Sequence, residues 1–99
     1  MDTATLEIER EDHEHGGRYV ARLAPGAEAE LTYRKTGEHV LAVDHTYTPP
    51  PFRGRDVALS LVKRLIADAR QNGDRIVPIC PYVAVQFRRH PEWSELLAQ

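Results

Sequence analysis

The stretch Pro49–Leu65, PPPFRGRDVALSLVKRL, decides the fold. Its three prolines cannot donate to a sheet ladder, so an extended strand must end before them. Val57–Gln71 is predicted to be a helix with one face on a core, because its apolar residues recur at spacings of three and four. Those residues are Ala58, Leu61, Val62, Leu65 and Ala69. Asn72 and Gly73 end this helix, since glycine adopts the left-handed conformation at little steric cost.

The turn before this helix, RGRDVA at residues 53–58, has the setting of an anion site. The first turn of a helix has unpaired N–H groups, and the helix dipole adds positive potential there. Arg53 and Arg55 add charge suited to phosphate oxygens. A solvated basic turn before an ordinary helix fits the same residues, because such short motifs are common. The turn alone leaves both interpretations open.

Four strands are predicted before the helix. Alternating apolar and polar residues mark Thr5–Arg10, Arg18–Leu23 and Ala27–Arg34 as half-buried strands. The polar segment Glu11–Gly17 is predicted to be the turn between the first two. Val40–Val43 is an unbroken apolar run, which predicts a central strand covered on both faces and continuing up to the prolines.

One strand and two short helices are predicted after the long helix. Arg75–Cys80 is a strand interrupted by Pro78, and Tyr82–Arg89 is helical. A second helix, Glu92–Ala98, follows Pro91. This order indicates an α+β fold, in which a mixed and mostly antiparallel sheet ends in a single strand–helix–strand unit.

Length, charge and cysteine content limit the classes of function. The 99 residues, 41% hydrophobic and 28% charged, suffice for one compact domain over residues 1–99. Thirteen basic and fifteen acidic residues give a net charge of -2, which argues against nucleic acid or an anionic membrane as a partner. A single cysteine and the lack of a leader-like apolar run favour a cytoplasmic protein. His13 and His15 lie in a polar turn without evident further ligands, so no metal site is expected.

Three segments in order resemble the GCN5-related N-acetyltransferases, within them a small single-domain subgroup of about this length. These are DHTYTPPPFRGR at residues 44–55, VPICPYV at 77–83 and RRHPEWSEL at 88–96. The family pattern of Gln or Arg, two residues, Gly, one residue, then Gly or Ala falls on residues 53–58. The resemblance covers nearly the whole chain and implies the acyl-CoA N-acyltransferase fold, with the long helix binding the cofactor.

The resemblance implies acetyl transfer from acetyl-coenzyme A to an amine on a small molecule or a protein. In the family, amides of the pattern hold the pyrophosphate, the strands flanking the helix splay apart, and the pantetheine arm lies between them. Pro78 suits such an opened pairing, or an ordinary sheet edge, since it has no N–H. A backbone amide near Tyr47 would donate to the thioester carbonyl. The residues carried over as cofactor-binding are Tyr47, Thr48, Arg53, Gly54, Arg55, Asp56, Val57 and Ala58.

Three side chains are candidates for the chemistry. Cys80 would accept the acetyl group as a thiolate, or line the pocket as a buried cysteine. His45 would take a proton from the amine or make a structural hydrogen bond. Tyr82 would protonate the departing thiolate or pack against the coenzyme.

Asp56 stands where the family pattern has glycine. Its carboxylate would cap the helix by accepting the N–H groups that a pyrophosphate uses, or it would point away and leave them free. Either way it brings negative charge toward the phosphates. The alternative function is therefore a catalytically inactive module that binds coenzyme A or contacts another protein.

Overall fold

The computed structural model describes residues 6–98. Its strands are β1 (Ile8–Asp12), β2 (Gly16–Ala24), β3 (Ala27–Gly37), β4 (Val40–Tyr47) and β5 (Arg75–Pro78). Its α-helices are α1 (Val57–Asn72) and α2 (Pro81–Arg89), and short 3₁₀ turns cover Pro50–Phe52 and Pro91–Leu96. Within residues 6–98, no helix is long and apolar enough to span a membrane.

The five strands form one sheet in the order of the chain. β1 to β4 are antiparallel neighbours, and β5 runs parallel to β4 after α1 has crossed over. The mixed, mostly antiparallel α+β architecture is therefore confirmed. The middle strand is β3, so the prediction that Val40–Val43 belongs to the central strand is wrong, because only one strand is added beyond β4.

The first hairpin is longer than predicted. β1 extends to Asp12, and only residues 13–15 form the turn. Glu11 and Asp12 stay in the strand because each pairs with a basic side chain of another strand. Glu11 binds Arg18 of β2 at 2.8 Å, and Asp12 binds Lys35 of β3 at 2.7 Å. Thr5, where the first strand was predicted to begin, lies outside the described residues.

Of the segment predicted to be helical, Glu92–Ala98, only the part up to Leu96 is helical, and there it forms a 3₁₀ helix. Its 3₁₀ turns end at Leu96, and Leu97 is extended. The Ala98 N–H donates to the Ile76 carbonyl at 2.9 Å, so the segment pairs with the outer edge of β5 instead. Partial coverage of an exposed sheet edge explains why the chain leaves the helical path here.

The helices pack against one face of the sheet. Fully buried side chains of α1 and the strands, such as Leu65, Tyr19 and Leu31, form the centre of this core. Trp93 anchors the C-terminal turns by packing edge-on against Phe87, with ring centroids 5.6 Å apart. Core burial of this kind supplies the main driving force for folding.

The opposite face of the sheet, here called the charged face, carries ion pairs between neighbouring strands. Arg18 binds Glu11 at 2.8 Å and Glu30 at 3.0 Å. Strand alternation places these side chains opposite Tyr19 and Leu31, which point into the core. The ion-paired residues of this face are Glu9, Glu11, Arg18, Arg22, Glu28, Glu30, Arg34 and Asp44.

Candidate functional site

β4 and β5 stop pairing before β4 ends. The ladder between them ends at the pair Val43 and Pro78, while β4 continues beside β3 to Tyr47. The Val43 carbonyl accepts the N–H groups of both Ile79 and Cys80, at 3.0 and 2.9 Å, and the chain then turns into α2. Because Pro78 has no N–H, the fifth strand is two residues shorter than predicted. The two strands that flank α1 are thus no longer paired with each other at this end.

A groove of about 430 Å³ lies at this opening, between the end of β4 and the first turns of α1 and α2. Seven of the eight predicted cofactor residues line it, and Arg55 does not. Among the predicted catalytic residues, Tyr82 lines it. The full lining is Thr46, Tyr47, Thr48, Phe52, Arg53, Gly54, Asp56, Val57, Ala58 and Tyr82.

Two residues of the turn before α1 have backbone angles in the left-handed region. Gly54 has a φ of 82° and Asp56 a φ of 59°. Glycine adopts such angles freely, whereas an L-residue is strained there, with Asp and Asn among the most tolerant. Position 56 is therefore one where the backbone itself favours the glycine of the family pattern.

Asp56 does not cap the helix with its side chain. It is the N-cap residue of α1, yet its carboxylate makes no capping hydrogen bond to the helix in the part of the chain that the structure describes. Its backbone carbonyl accepts both the N–H and the hydroxyl of Ser60, each at 3.0 Å. Asp56 was predicted either to cap the helix or to point away from it. In the structure its carboxylate does not cap the first-turn N–H groups.

Both arginines of the turn rest against aromatic rings. The Arg53 guanidinium lies 5.9 Å from the Tyr47 ring centroid and donates from Nε to the Thr48 carbonyl at 2.9 Å. The Arg55 guanidinium lies 5.7 Å from the ring of Phe52. Neither forms an ion pair with another residue of the range 6–98. Stacking of this kind orients a guanidinium and leaves its N–H edge available for an anion.

Cys80 is buried beside the groove rather than in its lining. It is the N-cap residue of α2, beyond the end of β5, and only 7% of it is exposed. Its Sγ lies 3.6 Å from the Thr46 hydroxyl, and Thr46 does line the groove. Thr46 was missed as a site residue; its position between His45 and Tyr47 near the end of β4 was the available signal.

His45 lies on the charged face, away from Cys80. β4 has one residue more than β3 at this point, because Thr32 faces His45 and the next pair skips Asp44. The Asp44 carboxylate accepts from the Thr32 hydroxyl at 2.6 Å, so this β-bulge turns both Asp44 and His45 toward the charged face. The His45 Nε2 is 3.9 Å from the Glu30 carboxylate. Of the predicted catalytic residues, the structure therefore brings Tyr82 to the groove, with Cys80 behind Thr46.

Tyr82 lies in the first turn of α2. Burial, and after it the negative charge of Asp56, raises the pKa of the Tyr82 phenol. The phenol therefore keeps its proton near neutral pH and can donate a hydrogen bond into the groove.

A larger cavity, of about 720 Å³, lies at the other end of β4, around His39 and Asp74. These two residues are joined by a 3.1 Å contact between the His39 Nδ1 and the Asp74 carboxylate. Its walls carry acidic and basic side chains together, and the N-terminus of α1 is not among them. The smaller groove is therefore the better anion site. Among the described residues, no group of three or more His, Cys, Asp and Glu side chains is placed to hold a metal ion.

A family model for GCN5-related N-acetyl-transferases matches residues 18–96. The chain therefore belongs to the GCN5-related N-acetyltransferase family. The NMR solution structure of a GCN5-like protein from Staphylococcus aureus is similar with a TM-score of 0.66 and 22% identity, covering 91% of this chain and 87% of that one. This likeness supports the fold that the resemblance implied. No curated protein sequence matches the chain significantly.

Proposed function

We propose that this chain transfers an acetyl group from acetyl-coenzyme A to an amine on a small molecule or a protein. The observation that carries the proposal is the first turn of α1, whose N–H groups the Asp56 carboxylate leaves uncapped at the edge of the groove. Unpaired N–H groups and a helix dipole favour a diphosphate at this position. Arg53 and Arg55, stacked on aromatic rings, supply the matching positive charge.

The open end of β4 suits the pantetheine arm. Beyond Val43, no strand of the described residues 6–98 pairs with β4 on its β5 side, so its backbone groups there are available to an extended ligand with amides of its own. Thr46, Tyr47 and Thr48 line the groove along this path. The amide near Tyr47 would donate to the thioester carbonyl as negative charge develops on its oxygen.

Bound acetyl-coenzyme A supplies a thioester whose carbonyl carbon accepts the amine. A C–N bond forms at that carbon and its C–S bond breaks, so the amine gives up one proton and the sulfur takes one. His45 receives the amine proton, directly or through water. Tyr82, protonated near neutral pH, donates a proton toward the sulfur.

Cys80 offers a second route, in which its thiolate first takes the acetyl group and then passes it to the amine. Its burial behind Thr46 favours direct transfer, because the thiol does not line the groove. Replacement by alanine separates the routes: a Cys80→Ala variant that keeps full turnover excludes the covalent one.

A catalytically inactive module that binds coenzyme A, or contacts another protein, is the second candidate. The observation that favours it is Asp56, which lines the groove and whose negative charge raises the pKa of Tyr82. A fixed negative charge at this position opposes a diphosphate.

Thermal unfolding in the presence of acetyl-coenzyme A tests the proposal. A ligand that binds only the folded state, at one hundred times its Kd, adds about 2.7 kcal/mol to the free energy of unfolding. We expect the unfolding midpoint to rise with ligand concentration, and to rise less in Arg53→Gln. Arg88→Gln removes an equal charge from the exposed end of α2 and is the matched control.

No rise at millimolar acetyl-coenzyme A would contradict the proposed function. A rise without acetylation of any amine in a broad panel would instead support the inactive module.

A further inference from the structure

The opening between β4 and β5 has a closed end, where the two strands part. Their pairing stops at Val43 and Pro78. Just past this pair, the N–H groups of Ile79 and Cys80 both donate to the Val43 carbonyl, at 3.0 and 2.9 Å. These two hydrogen bonds hold Cys80 at the closed end of the opening.

Thr46 is the groove residue that contacts Cys80. It is opposite Leu31 in the β3–β4 register, and Leu31 is fully buried, so the Thr46 side chain is on the core side of the sheet. The Thr46 hydroxyl lies 3.6 Å from the Cys80 Sγ. This contact joins β4 to the chain that follows β5, and Thr46 also lines the groove. We call Thr46 and Cys80 the groove floor.

The groove floor rests on the packed core. Cys80 is only 7% exposed and belongs to the buried cluster that contains Val43 and Val83, both of them fully buried. Protein interiors are packed as densely as organic crystals, so an added methylene group displaces its neighbours at a cost in free energy. A ligand that reaches the floor can therefore extend further only by displacing Thr46 or Cys80.

The proposed position of the coenzyme brings its acyl end to this floor. A diphosphate at the first turn of α1 and a thioester carbonyl near the Tyr47 amide fix the direction of the donor. It runs along β4 from Thr48 toward Thr46, and both residues line the groove. The acyl group is therefore the part of the donor nearest the closed end.

We propose that Thr46 and Cys80 set the length of the acyl group that the site accepts, and that they make it selective for acetyl over longer acyl chains. This rests on the proposed acetyl transfer. An acetyl group has a single methyl beyond its carbonyl, whereas the further methylene groups of propionyl and butyryl meet the floor. One methylene group in a close-fitting pocket changes selectivity by about tenfold or more.

Calorimetric titration with acetyl-, propionyl- and butyryl-coenzyme A tests this selectivity without any acceptor. We expect the Kd for butyryl-coenzyme A to exceed that for acetyl-coenzyme A by about tenfold or more, with propionyl-coenzyme A between them. Coenzyme A without an acyl group gives the affinity that the rest of the ligand supplies.

Variants of Thr46 separate its size from its hydroxyl. Thr46→Ala shortens the side chain, and we expect the ratio of the butyryl to the acetyl Kd to fall to about threefold or less. Thr46→Val keeps the branched shape without the hydroxyl and should keep the ratio. Thr36→Ala, at an exposed position near the other end of the sheet, is the matched control and should also keep it. If Thr46→Ala does not fold, Thr46→Ser removes only the methyl group and should lower the ratio in the same direction.

Alkylation of Cys80 provides a readout that needs no ligand. Cys80 is the single cysteine of the chain, so uptake of iodoacetamide measured by mass spectrometry reports on it alone. If Thr46 covers the thiol, Thr46→Ala should speed the reaction several-fold under native conditions, and Thr46→Val should not. Urea unfolding of both variants shows whether a faster reaction reflects lower global stability. An unchanged rate in a folded Thr46→Ala variant contradicts the groove floor.

The failure of this proposal is distinct from the failure of the proposed function. Equal Kd values for acetyl- and butyryl-coenzyme A, or a ratio that Thr46→Ala leaves unchanged, overturn the acyl-length proposal even where acetyl-coenzyme A binds. Failure of acetyl-coenzyme A itself to bind overturns the proposed function.

Discussion

Asp56 is unfavourable at its position for two separate reasons, its backbone conformation and its charge. Its φ of 59° favours glycine, and this acidic residue lines a groove that is otherwise suited to phosphate. Both effects arise at this one residue, so substitutions can separate the backbone strain from the negative charge.

We predict that Asp56→Gly stabilises the fold and tightens acetyl-coenzyme A binding. Relief of the left-handed strain, less the greater freedom of glycine in the unfolded chain, should add about 0.5 kcal/mol to the free energy of unfolding. Removal of the carboxylate should lower the Kd by several-fold. Urea unfolding and calorimetric titration measure the two effects. Asp56→Asn keeps the strain without the charge and should show only the tighter binding; unchanged binding in both variants would exclude charge as the obstacle.

Tyr82 gives a prediction for the pH dependence of catalysis. Burial and the charge of Asp56 raise the pKa of its phenol. The phenol is therefore protonated at any pH below the ordinary tyrosine pKa, and it stops acting as an acid only when the pH exceeds its own raised pKa. Ionisation of Tyr82 should therefore not lower kcat until pH exceeds about 10. Tyr82→Phe should lower kcat by about 100-fold while the Kd for acetyl-coenzyme A changes little. Turnover that is intact in Tyr82→Phe would leave the residue only a packing role.

At the scale of elements, Asp12 ties β1 to β3 and makes stability depend on pH. Burial opposes ionisation of this carboxyl, but hydrogen bonds from Lys35 at 2.7 Å and from the Tyr33 hydroxyl outweigh it and lower the pKa of Asp12. A carboxyl group whose pKa is lower in the folded than in the unfolded state stabilises the fold at pH values above its unfolded-state pKa. This stabilisation is lost as the pH falls through the folded-state pKa.

We therefore expect the free energy of unfolding to fall below about pH 4, with Asp12 contributing to the loss. Asp12→Asn should lower stability at neutral pH and flatten this acid dependence. Urea unfolding at a series of pH values measures both effects. An equally steep acid loss in Asp12→Asn would show that other carboxyl groups are responsible.

The elements differ in how well the sequence predicts them. The predicted limits of α1 match the structure to within one residue, because one-sided periodicity and Gly73 are local signals. The bulge at Asp44 and the extended end at Leu97 were not predictable in this way, since each depends on a partner in another strand, Thr32 and Ile76.

The same distinction applies to the groove. The turn at residues 53–58 was predicted from a local motif and does line it, apart from Arg55. Thr46 was missed although it lies between two predicted site residues, and its contact with Cys80, 34 positions away in sequence, could not be predicted from a local pattern. The position of His45 on the charged face also follows from the bulge, and no periodicity in β4 indicates it.

At the scale of the whole molecule, the two faces of the sheet differ in chemical character. Helices and the apolar core lie on one face, and ion pairs cover the other. The opening beyond Val43 and Pro78 is where the two sides meet. In the proposed reaction the coenzyme binds along α1 and the opening.

The most direct measurement is an NMR titration of the isotopically labelled protein with acetyl-coenzyme A, followed through its backbone amide signals. If the first turn of α1 binds the diphosphate, the amides of residues 54–58 should show the largest saturable shifts, and those around His39 at the other end of β4 should stay in place. Amides of residues 54–58 that do not move at millimolar ligand, or that move less than those near His39, would contradict a coenzyme site at this turn.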